Sequence, residues 1–365
     1  MTQKQKICVL GLVCVVLVFF IFLGRGVFSK HGIVGSQSSY VPQTRTYYVA
    51  AENVVWDYAP AGKDPYTNEP IPSPYGDQIK YNKVRYIEYT DDTFTTKKPQ
   101  PIWLGILGPI IRGVEGDTIK VIFYNKADKP YSMHPHGLLY DKDNEGSNMP
   151  MKMDMSMSPS TDNDMQGKGS EVLPGAKYTY TWTVIPESAP QESEGGSKVW
   201  FYHSHVDLGE EDIQDGLLGP IIITSAKHAN LDGTPNDVNK EFVTLFMIFD
   251  ESKPGMTADQ TEGNMKYTIN GYIFDNLQGL VMNKGDKIRW YLMDMGGESD
   301  LHTPHWHGED VLNRETNTYT DLMELLPGSM KTVDMLAYNV GTWMYHCHVA
   351  DHMEGGMMAM YTINP

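Results

Sequence analysis

Cysteine is almost missing from this chain: there are three in 365 residues, and Cys8 and Cys14 fall inside an apolar run at the N-terminus. Cys347 is therefore the only thiol in the body of the chain, which excludes an intradomain disulfide there; a core of this size needs no such staple. Asn-x-Ser/Thr sequences are absent beyond residue 30, which excludes N-glycosylation of that part. Positive charge is scarce as well: the formal charge is −17, the first 30 residues contribute +4, and the remainder therefore stands at −21. A surface of that sign repels nucleic acid and anionic lipid and concentrates cations. Long hydrophobic runs are limited to Ile7–Gly24, 18 residues preceded by Lys4 and Lys6 and followed by Arg25 and Lys30. That length spans a bilayer, and no Ala-x-Ala-like cleavage site follows it, so residues 1–30 are expected to be a signal anchor. Gly24-Arg25-Gly26 leaves a cleaved signal peptide as the alternative. Either way the body is expected outside the cytoplasm, joined to the leader by a Gly-, Ser- and Gln-rich tether over 31–45.

Long helical patterns are also few. The chain consists mainly of short β-branched and aromatic runs punctuated by Gly, Pro, Asn and Asp, such as Lys120–Tyr124, Tyr178–Val184 and Phe242–Ile248, which predicts an all-β fold. Four landmarks recur in one order. Gly116-Asp117, His134-Pro135-His136-Gly137, Leu173-Pro174-Gly175 and Tyr202-His203-Ser204-His205 are followed by Gly285-Asp286, His305-Trp306-His307-Gly308, Leu326-Pro327-Gly328 and Tyr345-His346-Cys347-His348. The repeat predicts a duplicated sandwich, with domain 1 over 46–228 and domain 2 over 238–365, divided where Asn, Asp, Gly and Pro cluster between Ala226 and Val238. Aligning the copies puts Ser204 opposite Cys347 and Tyr131 opposite His302, so only the second copy keeps a thiolate.

The run from His346 through Cys347, His348 and His352 to Met357 is the most specific chemistry in the sequence. A strand has a side-chain period of two, so His346 and His348 share one face and Cys347 takes the other. Cys347 with His352, Met357 and one upstream histidine, His302, makes the His2Cys set with a weak axial thioether that suits an electron-transfer copper. Ten of the twelve histidines lie in four such clusters; once His302 and His352 are assigned, eight imidazoles remain in four His-x-His pairs, enough for three further coppers. One His-x-His pair arises by chance, but four with the Cys and Met in register do not. His31 and His228 are left over and read as ordinary exposed residues. A polar loop carries Met149, Met151, Met153, Met155 and Met157, then Met165. These thioethers are soft ligands suited to Cu(I), or else mark a low-complexity insertion.

With these motifs the chain resembles the multicopper oxidases, and in particular the ceruloplasmin and hephaestin ferroxidases, from about Tyr47 to Pro365. The branch likeness rests on Val55-Trp56-Asp57-Tyr58, Trp103–Ile111, Gly216–Pro220 and Asn270-Gly271-Tyr272-Ile273-Phe274. The resemblance implies two cupredoxin-like Greek-key β-sandwich domains in tandem, and four coppers per chain. Type 1 copper would take His302, Cys347, His352 and Met357; type 2 would take His134 and His305; the type 3 pair would take His136, His203, His205, His307, His346 and His348. The family's iron-oxidation site maps to Glu262, Tyr267 and Asp351, with a phenol in place of its imidazole. It further implies a homotrimer with the trinuclear cluster between subunits, and one-electron oxidation of a metal ion coupled to reduction of O2 to water. Fe(II) is the expected reductant; Cu(I), then phenols, are the alternatives. A copper nitrite reductase would share the sandwich but need three imidazoles where eight are present, and a non-catalytic copper store would predict eroded ligand sets.

Overall fold

The computed structural model describes residues 40–148, 167–206, 209–297 and 300–365. The expected anchor, most of the tether and the methionines from Met149 to Met165 lie outside these residues. Among the described residues no helix is long and apolar enough to cross a membrane.

Eight strands build the first half: β1 Thr44–Asp57, β2 Lys80–Tyr89, β3 Ile111–Val114, β4 Thr118–Asn125, β5 His134–Pro135, β6 Lys177–Thr183, β7 Ser197–His203 and β8 Leu218–Thr224. Ten build the second: β9 Lys240–Asp250, β10 Met265–Ile269, β11 Val281–Asn283, β12 Lys287–Asp294, β13 Pro304–Trp306, β14 Val311–Asn313, β15 Thr318–Thr320, β16 Met330–Leu336, β17 Gly341–Cys347 and β18 Met358–Asn364. Among the described residues three short helices, α1 Glu210–Asp215, α2 Ala258–Asn264 and α3 Ala350–Glu354, sit in loops. The sheet orders are β2-β1-β4-β6 with β3-β8-β7-β5, then β10-β9-β12-β16 with β11-β18-β17-β13. Position for position the second pair repeats the first, and the β14–β15 hairpin is added to one edge. The duplication read from four landmarks is therefore a duplication of the whole topology: two cupredoxin-like β-sandwiches in tandem.

Burial patterns explain how the halves meet. In β4 buried and half-buried residues alternate, as expected of a strand with one face on a core. β8 is buried throughout, and β9 and β12 nearly so, because each has a core on both sides. Ile221 and Ile223 of β8 pack inside the first sandwich, while Leu218 and Ile222 join Val243, Leu245 and Met247 of β9 in a second apolar layer between the sandwiches. Arg289 of β12, fully buried, crosses this region to Asp237, Asp334 and the Ser197 hydroxyl. At the start of the described chain, Tyr40 and Gln43 of the expected tether are tied to Asp117, by the Tyr40 hydroxyl (2.7 Å) and the Gln43 backbone N–H (2.8 Å).

Candidate metal centre

Strand β17 places the thiol. Register with β13 pairs His305 with His346 and Pro304 with Cys347, so Cys347 turns into the core of the second sandwich, fully buried, while His346 turns toward His305. The chain then leaves the strand into α3, which carries His352 back over the thiol. The Met357 N–H donates to the His352 carbonyl (2.9 Å) and the Cys347 N–H to the Met357 carbonyl (3.0 Å), which closes the loop with Met357 buried beneath it. His302, Cys347 and His352 are brought together with ligand atoms within 4.8 Å of one another. His302 Nδ1 lies 3.1 Å from His352 Nδ1, and the Cys347 sulfur is 3.9 and 3.6 Å from those two nitrogens.

The electrostatics suit a thiolate. Burial pushes the Cys347 thiol up, but His302, His352 and the backbone N–H groups of Thr303 and Val349 outweigh it and bring it down to about 6. His302 is opposed by burial, yet Asp300 and Cys347 carry it up to about 9. Asp300, which the motif reading missed, lies with its Oδ1 3.0 Å from His302 Nε2 and fixes which ring nitrogen faces the sulfur. Asp300 is itself held by the Ile248 N–H (2.7 Å) and the Gly297 N–H (2.9 Å). Asp294 completes a buried carboxylate pair behind the ring. The only sequence signal for this support is the Asp-x-His spacing.

The other eight histidines form two quartets. In the first, His134, His136, His203 and His205 lie with ring centroids 5.0–5.5 Å apart, and His136 Nε2 is 3.2 Å from His203 Nε2. In the second, His307 Nε2 and His305 Nδ1 approach His346 Nε2 at 3.0 and 3.3 Å, and His348 flanks His305 and His346. His134, His203 and His346 each direct Nδ1 to a backbone carbonyl, of Glu145, Ser204 and Cys347 (2.7, 2.8 and 2.7 Å), which leaves Nε2 for a ligand. Burial holds His136 at about 4 and His203 at about 3, so these imidazoles are neutral and each carries a lone pair. The glycine after each first His-x-His pair has positive φ, Gly137 at 71° and Gly308 at 79°, and a Cβ there would meet the Trp200 or Trp343 ring. No ring contact or ligand-atom cluster joins one quartet to the other among the described residues. His307 and His348 are exposed, and a cavity of about 760 Å³ opens beside His305 and His307, bordered by Asp321, Tyr319, Leu336 and Tyr338. His228 is half-buried rather than exposed, in a short 3-10 turn away from both quartets.

The first sandwich holds the matching but altered position. Tyr131 pairs with Val172 as His302 pairs with Leu325, and the Ser204 N–H donates to the Leu217 carbonyl as Cys347 does to Met357. Asp212 occupies the place of His352, and the Ser204 hydroxyl donates to it (2.6 Å). All four ligand positions are thus changed, and the hole is closed by a hydrogen bond.

Glu262, at the end of α2, accepts hydrogen bonds from the Tyr75 (2.9 Å) and Tyr267 (3.2 Å) hydroxyls. The Tyr267 ring lies 5.4 Å from the His352 ring. Asp351 is exposed at the start of α3, beside His352. Tyr75 had no sequence signal, because it reaches Glu262 from 187 positions away.

Multicopper oxidase family profiles match residues 83–169 and 249–365. Ferroxidase HEPHL1 of Homo sapiens is 33% identical over 383 residues, covering 96% of this chain and 31% of that protein. Hephaestin of Homo sapiens is 36% identical over 353 residues, 88% of this chain and 29% of that protein. Coagulation factor V of Pseudonaja textilis is 36% identical over 336 residues, 87% of this chain and 22% of that one. The chain spans about a third or less of the length of these curated relatives. Among solved structures, a multicopper oxidase aligns with TM-score 0.60 at 19% identity over 88% of this chain and 89% of that one. A blue copper oxidase from Nitrosomonas europaea aligns at 0.57 and 21%, over 89% and 86%; at such identity these two show the fold. With family profiles over both halves and relatives at 33–36% identity across most of its length, the chain belongs to the multicopper oxidase family, on its hephaestin-like branch.

Proposed function

We propose that this protein is a ferroxidase that couples one-electron oxidation of Fe(II) to reduction of O2 to water. The observation that carries the reading is the thiol of Cys347 within reach of His302 and His352, with His346 and His348 as its chain neighbours. The donor set fits copper: a low-lying thiol, neutral imidazoles and a buried thioether are soft and borderline ligands. In this reading His302, Cys347, His352 and Met357 hold type 1 copper, His134 and His305 hold type 2, and His136, His203, His205, His307, His346 and His348 hold the type 3 pair. Bound copper would supply the one-electron redox steps and the four-electron store that O2 reduction requires. Cys347 links the two regions: His346 Nδ1 is 2.7 Å from the Cys347 carbonyl, so the sulfur reaches an imidazole through covalent bonds and one hydrogen bond. Asp300 orients His302. Its replacement by Asn is expected to weaken copper retention about 10- to 100-fold, measured by competition with a chelator on the oxidised protein.

Each quartet offers half of an eight-imidazole cluster, the first with three half-buried members and the second with His307 and His348 exposed, which favours assembly between domain 1 of one subunit and domain 2 of the next in a closed homotrimer. Residues 7–24 would anchor it at an extracytoplasmic surface. Glu262 and Asp351 are the carboxylates for Fe(II), and the strongly acidic surface gathers the cation. Glu262→Gln is expected to lower kcat/KM for Fe(II) by about ten- to hundredfold, the worth of one bond to a charged group, and to leave phenol oxidation unchanged. Equal losses with both donors would sink the substrate assignment. A cuprous oxidase is the second reading, favoured by Tyr267, whose hydroxyl is spent on Glu262 and supplies no imidazole. Steady-state rates with Fe(II), Cu(I) and a phenol rank the two; deletion of 149–165 should slow only Cu(I) turnover if its methionines bind the ion.

A further inference from the structure

Asp64 and Asp275 lie far apart in sequence, one in the loop after β1 and the other in the turn before β11. Their side chains meet within hydrogen-bonding distance. Asp275 is 2% exposed and Asp64 9%. Asp64 spends Oδ1 on the Tyr66 and Thr67 N–H groups (2.7 and 3.0 Å). Oδ1 of Asp275 is fully enclosed and has no hydrogen-bond partner. Among the described residues no Lys, Arg or His forms an ion pair with either carboxylate, and the nearest ammonium in sequence, Lys63, binds Asn68 instead. Two buried carboxylates in contact cannot both stay ionised without a counter-charge. Asp275 also holds φ at 57°, a left-handed conformation that Asp and Asn adopt more readily than other side chains. It borders a cavity of about 180 Å³ shared with Tyr66, Gln278, Thr342 and Thr362.

We propose that Asp64 and Asp275 form a binding site for a hard, oxygen-seeking cation of the calcium class, which pins the loop after β1 onto the turn before β11. Such ions take six to eight oxygens, about half of them here from two carboxylates. Gln278, whose amide nitrogen donates to the Asp275 carbonyl (2.9 Å), offers its amide oxygen, and water in the cavity completes the shell. The neighbouring Asn276 already stitches the same two segments with neutral hydrogen bonds, accepting from the Ala61 N–H (3.0 Å) and donating to the Lys63 carbonyl (3.1 Å). Behind the turn, the Phe274 and Asp275 N–H groups donate to the carbonyls of Gly356 and Met358, on either side of Met357. The cation would therefore stiffen the segment that carries the thioether, whichever reductant the protein uses.

The test uses the copper-loaded full chain freed of other divalent ions. Tb3+ is added as a luminescent calcium substitute, sensitised by Tyr66. The expected result is one emitting site per chain that Ca2+ displaces, absent from Asp275→Asn, which keeps the size and tolerates the left-handed backbone. The thermal midpoint of the wild type should climb with Ca2+ concentration and that of the variant should stay flat. Asp64→Asn is the second variant should Asp275→Asn fail to fold. Equal Ca2+ responses in wild type and variants would overturn the site. So would a wild type that binds no Ca2+ while Asp275→Asn is more stable above neutral pH, because the pair would then share a proton.

Discussion

Cys347→Ser is expected to abolish the visible absorption band near ~600 nm and the oxidase turnover together, since the band reports the metal–thiolate bond. The protein should remain folded. Its own first sandwich carries the same substitution at the matching position, where Ser204 donates to Asp212 and the strand geometry is unchanged. Loss of function would then come from chemistry: a serine hydroxyl stays protonated at neutral pH, whereas Cys347 is drawn down to about 6 by the imidazoles and N–H groups around it. Absorption spectra and O2 uptake on one preparation, with circular dichroism as the folding control, give the result. A variant that kept either colour or turnover would break the assignment of the sulfur to both binding and transfer.

Mixing two dead variants should restore activity. His203→Ala removes an imidazole from the first quartet, and His346→Ala removes one from the second; each alone is expected to be inactive. If a cluster is built from domain 1 of one subunit and domain 2 of the next, co-assembled rings contain interfaces in which both halves are intact. Random assortment makes about a quarter of interfaces whole, so activity should return to about a quarter of wild type. Co-expression followed by O2 uptake tests it, with light scattering on the same sample for the mass. Mixed assemblies that stay dead would place each cluster within a single chain.

Much of the fold was legible in the sequence, for identifiable reasons. Repeated landmarks carried the duplication, and the structure extends it to sheet order and register. The His-x-His spacing placed both quartets, because a period of two is all that β17 requires. What lay hidden depended on burial and on contacts across the chain. Phe242–Ile248 reads as a strand, but nothing in its composition shows that Val243 and Met247 face a second sandwich. Asp300 and Asp294 are common residues whose meaning comes from being enclosed beside His302. Ser204 and Tyr131 were visible as losses. That Asp212 and Leu217 replace His352 and Met357 required the backbone pairing.

The register of β17 against β13 has an evolutionary consequence. Because Cys347 alternates with His346 and His348 on one strand, a one-residue insertion there would turn the thiol and the imidazoles to the wrong faces at once. An insertion or deletion in β17 would therefore cost the second half both kinds of centre together. The first half, which gave up its thiol while keeping both His-x-His pairs, could shed one centre only by point substitution in place, and that is the record its Ser204 preserves.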